Sequence, residues 1–72
     1  MPHNQVSNNI RETRRKLGLT QAQLAELCGI SRVSVVAIET GRFLPTIETA
    51  LRLSQALDTG LDGLFQLREA EK

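Results

Sequence analysis

The sequence predicts an all-α fold, a compact domain of five short helices. Three observations carry that prediction. Apolar residues recur at three- and four-residue steps, the period of a helix with one buried face. Thr20, Ser31 and Thr46 stand just before such runs, and Gly18, Gly29 and Gly41 just after them, the punctuation of helix starts and stops. No stretch sustains the two-residue alternation of a half-buried strand.

Taken in order, residues 1–7 read as a flexible arm. Ser7 or Asn8 can cap a first helix whose inner face would hold Val6, Ile10 and Leu17, with Gly18 ending it. Thr20 and Gln23 then form a capping-box pattern, in which each side chain can satisfy the other's free backbone donor. The second helix runs to about Cys28, with Leu24, Ala25 and Cys28 inward. Ser31 caps a third helix that runs to about Glu39, with Val35 and Ile38 inward and Thr40-Gly41 closing it. Phe43-Leu44-Pro45 is an extended connection, because Pro45 biases Leu44 away from helical dihedrals. Thr46 caps a fourth helix expected to bury Ile47, Ala50, Leu51, Ser54 and Leu57. A short fifth helix follows with Leu61, Leu64 and Phe65 inward, and residues 66–72 form a polar tail. The folded domain is thus expected over residues 8–65.

Composition narrows the function. A chain of 72 residues is one domain, burying only ~60% of the surface its unfolded form exposes. Cys28 is the sole cysteine, so no intrachain disulfide staples it, and a reducing cytoplasm is the expected location. The opening MPHNQVSNN lacks the basic-then-apolar pattern of a secretory signal, and no stretch is apolar enough to span a membrane. Net charge is only +1, yet it is unevenly spread: residues 1–45 sum to +3 and residues 46–72 to −2. A basic first half suits a polyanionic partner. Phe43 and Phe65 are the only aromatics, which disfavours a single-strand binder that stacks bases. There is no nucleophile–base pair, no phosphate loop and no metal-spaced ligand set, so neither an enzyme nor a cofactor or metal site is expected. His3 has no second ligand near it, and Cys28 reads as a small packed hydrophobe.

The most specific signal lies in residues 20–41. Counting from Gln21 as the first position, small Ala25 is fifth, Gly29 ninth, and apolar Ile30, Val35 and Ile38 are tenth, fifteenth and eighteenth. Ala25 lets the two helices approach closely, and Gly29 supplies the turn between them. This is the spacing of a helix-turn-helix.

The stretch LTQAQLAELCGISRVSVVAIETGRFLP, followed by TIETALRLSQAL and LDGLF, resembles the phage-repressor-like helix-turn-helix domains of the Cro and lambda-repressor type, over roughly residues 8–65. The resemblance implies a homodimeric transcriptional regulator, a repressor by preference, that binds a pseudo-palindromic site on double-stranded DNA. It implies that the third helix lies in the major groove, with Arg32, Val33, Ser34, Val36 and Ala37 at base-reading positions. Gln21, Thr40, Arg42 and Phe43 fall at phosphate-contacting positions, and Arg14 and Glu39 match a structural ion pair. Arg15 and Lys16 read as a solvated face or as a source of long-range attraction to DNA. Three positions depart from the family pattern. Asp58 stands where glycine is common, Gly60 where serine is common, and Thr13 where a larger apolar residue is usual. The reading helix is also unusually apolar, which leans toward thymine-methyl contacts and shape readout. Leu61, Leu64, Phe65 and Leu67 exceed what one short helix needs for its own core, so part of that surface could serve a dimer. The competing reading is a protein-interaction module, antitoxin-like or adaptor, with weak or no DNA binding.

Overall fold

In the computed structural model, which describes residues 5–68, the chain runs β1 (Val6–Asn8), α1 (Ile10–Lys16), α2 (Gln21–Cys28), α3 (Arg32–Glu39), α4 (Ile47–Ala56), α5 (Leu61–Leu64) and β2 (Phe65–Leu67). Side-chain caps set three of the helix starts. Thr20 Oγ1 accepts from Gln23 N while Gln23 Oε1 accepts from Thr20 N, a complete capping box. Ser31 and Thr46 each accept from the backbone N–H three residues on. At α1 the role falls to Asn8, whose Oδ1 accepts from Ile10 N at 3.0 Å.

One core joins all five helices: Ile10 from α1, Leu24, Ala25 and Cys28 from α2, Val35 and Ile38 from α3, Leu53 from α4 with Leu57 just beyond it, and Leu64 from α5. Leu19, Ile30, Ala56 and Phe65 pack around it. Burying each large aliphatic side chain contributes ~1.5–3 kcal/mol.

The ends of the described chain differ from the expected arm and tail. Val6–Asn8 and Phe65–Leu67 pair as a two-stranded antiparallel sheet, with Val6 opposite Leu67 and Asn8 opposite Phe65. Val6 is therefore on a strand rather than on the first helix, and Leu17, half exposed, faces away from the core. A pair of three-residue strands has no stability of its own in water. This one is held by Phe65 packing on the core and by Asn8 Nδ2 donating to the Ile38 carbonyl at 2.9 Å. Residues 1–4 and 69–72 lie outside the described residues.

Helix α4 is rotated from its expected orientation. Leu57 is buried as expected and Ala50 and Ser54 are half-buried, but Leu53 is buried in addition, while Ile47 is 79% exposed and Leu51 50% exposed. The helix carries apolar residues on two faces, and only the one bearing Leu53 meets α2. Leu61 is likewise more exposed than expected, whereas Leu64 is fully buried. Asp58 has φ 52° and is the one non-glycine residue with positive φ among those described. That left-handed conformation explains why glycine suits this turn.

Candidate nucleic-acid interface

The geometry starts from the turn between α2 and α3. Gly29 adopts φ 71°, a left-handed conformation that any side chain would strain, and Gly29 N and Ile30 N donate to Glu26 O and Ala25 O. Ser31 then starts α3 with its Oγ 3.0 Å from Ser34 N. Val35 and Ile38, 1% and 2% exposed, bind one face of α3 to the core. The opposite face is thereby turned to solvent.

On that outer face Arg32 is exposed and its guanidinium has no partner among the described residues. Val33 is 74% exposed. Val33, Val36, Ala37, Thr40 and Arg42 line one shallow depression of about 280 Å³, so five of the sequence-predicted contact residues come together. Ser34 is half-buried, its Oγ bonded to Ser31 Oγ at 3.0 Å. Thr40 Oγ1 donates to the Val36 carbonyl at 2.8 Å, tying it to the helix end. Phe43 lies exposed in the loop after α3.

Gln21 is not free. Its Nε2 donates to Glu39 Oε1 at 3.1 Å, placing the start of α2 beside the end of α3. Glu39 is a hub. Arg14 Nε donates to its Oε2 at 2.7 Å, and Arg11 Nε to its Oε1 at 3.4 Å. Arg14 also donates through Nη1 to the Leu19 carbonyl at 2.8 Å. The Glu39 side chain is 0% exposed and that of Arg14 8%. Burial of the carboxylate pushes its pKa up. The hydrogen bonds from Arg14, Gln21 and Arg11 and the charge of Arg14 outweigh this and hold it below the ordinary glutamate range.

Sequence reasoning missed two members of this network. Arg11 joins Glu39 from one helical turn before Arg14, a spacing that could have suggested it. Asn8 reaches the last turn of α3 through Ile38, and no local pattern announces that contact.

Two other features carry no chemistry of their own. A larger depression, about 550 Å³, lies along α1 beside Arg11, Arg15 and Lys16, where Glu12 and Glu39 offset the positive charge. Cys28 is fully buried, and that burial pushes its thiol pKa up against a smaller opposing pull from Arg52. An inert packed thiol is the result. Among the described residues no three metal-ligating side chains gather, and no helix is long and apolar enough to cross a membrane.

A capped helix presented outward by a glycine turn and a buried inner face defines a helix-turn-helix domain. Residues 10–64 match the family model described as Helix-turn-helix, and the chain belongs to that family, a family of transcription regulators and not an enzyme family. An HTH-type transcriptional regulator from Methanothermobacter thermautotrophicus is 48% identical over 48 residues, 67% of this chain and 70% of that protein. Among solved structures, the P22 c2 repressor in complex with a synthetic operator is 38% identical with TM-score 0.72, over 74% of this chain and 80% of that one. The restriction-modification controller protein C.AhdI from Aeromonas hydrophila is 35% identical with TM-score 0.71, over 75% and 82% of the two chains.

Proposed function

We propose that this chain is a cytoplasmic transcriptional repressor that binds a pseudo-palindromic site on duplex DNA as a homodimer, with α3 in the major groove. One observation carries the reading: α3 buries Val35 and Ile38 while Arg32 and Val33 project into solvent at its leading end. Arg32 pairs with a guanine edge, where a bidentate contact is worth ~1–3 kcal/mol of discrimination. Val33 and Val36 rest on thymine methyls, Ala37 permits close approach, and Ser34 bonds a nearby base or phosphate. Gln21, Thr40, Arg42 and Phe43 hold the backbone on either side. Glu39 accepts one hydrogen of the Gln21 amide, which leaves the other for a phosphate oxygen.

The relatives support the regulator class, and the P22 c2 repressor binds an operator by a domain of this shape. The test is selection of bound sequences from a random duplex library, followed by titration in rising salt. Enrichment of a palindrome with half-sites ~34 Å apart is expected, as is affinity falling with a slope near −0.9 per neutralised phosphate. No enriched sequence, with affinity for a different protein instead, would favour the interaction-module reading.

A further inference from the structure

We infer, resting on the placement of α3 proposed above, that the surface made by Val33, Val36 and Ala37 reads the C5 methyl group of a pyrimidine whichever base carries it. Cytosine methylated at C5 is then bound over plain cytosine by the same factor that favours thymine over uracil. The protein is thereby sensitive to cytosine methylation within its own site.

Helix α3 has five apolar residues among its eight. The core takes only Val35 and Ile38. Val33, Val36 and Ala37 lie at three- and four-residue steps and share the opposite face. Val33 is 74% exposed, and all three line the depression of about 280 Å³ together with Thr40 and Arg42. Valine is a poor choice for an exposed helical position, where it loses rotamer freedom without gaining burial.

The charges around this stripe indicate its occupant. Arg32 stands at the leading end, and Arg42 lines the depression from the loop at the other end. None of the lining residues is acidic. An apolar strip bracketed by two cations fits a polyanion with an apolar feature better than the apolar face of a protein. In the major groove the C5 methyl is the one apolar group that base pairs present.

The stripe also lacks the means to tell one pyrimidine from another. In that groove thymine offers an acceptor, O4, where cytosine offers a donor, N4. The side chains of Val33, Val36 and Ala37 hold no polar atom. Thr40 Oγ1 commits its hydrogen to the Val36 carbonyl, and Thr40 stands at the loop end with Arg42, where the backbone contacts are assigned. Ser34 does not line the depression. What is left to sense is the methyl group itself, through contact and through the water it displaces.

The test takes the duplex enriched in the selection above and exchanges each pyrimidine of the half-site in turn, in both half-sites together. Fluorescence anisotropy compares thymine with uracil opposite adenine, and methylcytosine with cytosine opposite guanine. The purine is thus constant within each comparison. Burial of one methyl corresponds to a factor of ~4 in affinity, and of two to ~15. That ~15-fold preference is expected for both pairs at the same position. In Val33→Ala both factors should fall toward one, while the thermal melt matches that of the unaltered chain because the site is exposed. Uracil that binds as well as thymine at every position overturns the inference. So does methylcytosine that binds no better than cytosine where thymine outbinds uracil. Preferences that persist in Val33→Ala overturn it as well, since the methyl groups then act through the shape or stiffness of the duplex. Each of those three results leaves sequence-specific binding in place. A library from which no sequence is enriched removes the proposed function and the methyl recognition together.

Discussion

Glu39 shows how a single side chain can hold three elements together. Its carboxylate receives Arg14 and Arg11 from α1 and Gln21 from α2, while sitting at the end of α3. Removing Arg14 leaves the buried carboxylate only the longer contacts from Arg11 and Gln21. Arg14→Met should therefore destabilise the fold by ~3–5 kcal/mol, and the Arg14→Met/Glu39→Leu pair by less than the sum of the single changes. Urea denaturation of the four chains checks this. The lowered Glu39 pKa has a fixed sign in pH. A depressed carboxylate lends stability that is complete above its unfolded pKa and is lost as pH falls through its folded one. Unfolding free energy should drop on acidification below the ordinary glutamate range, and less steeply in Glu39→Gln. At the proposed interface, Arg32→Ala should flatten base preference at one position of each half-site. Arg42→Ala should weaken all sequences alike and reduce the salt slope by ~1. A selection experiment in which Arg32→Ala leaves preference intact rules out its assigned role.

At the scale of elements, legibility followed locality. The Thr20–Gln23 capping box, the Ser31 and Thr46 caps and the buried faces of α2 and α3 depend on residues a few positions apart, and the sequence displays them directly. The strand pair was hidden because it joins segments nearly the whole chain apart, each three residues long, too short for alternation to register. The orientation of α4 was hidden for another reason. Ile47, Ala50 and Leu51 make a stripe as regular as the one containing Leu53 and Leu57, and periodicity cannot say which of two apolar faces meets the core. Of the candidate site, the outward position of Arg32 and Val33 was readable from α3's inner face, but the engagement of Gln21 by Glu39 was not. The turn after α4 offers a direct check. Asp58 holds a left-handed conformation that glycine adopts without strain. Asp58→Gly should be neutral to stabilising by up to ~1 kcal/mol, seen as an unchanged or raised melting temperature.

Over the whole molecule, the single core leaves a thin margin. Natural domains hold ~0.05–0.15 kcal/mol per residue, and truncating one buried leucine removes ~2–5 kcal/mol. Leu57→Ala, which empties a site 1% exposed at the junction of α4 and the core, should leave much of the population unfolded at 37 °C by circular dichroism. High protein concentration should recover part of the loss if pairing adds to stability. The sheet between Val6–Asn8 and Phe65–Leu67 has a topological corollary. Arg68 N donates to the Gln5 carbonyl at 2.6 Å, so the two ends of the described segment, residues 5–68, meet side by side. Covalent closure by a brief glycine-serine bridge, with new ends cut in the exposed Arg42–Leu44 segment, yields a circular permutant that should keep the fold. Any module spliced onto either end of this domain would depart from the same point on its surface.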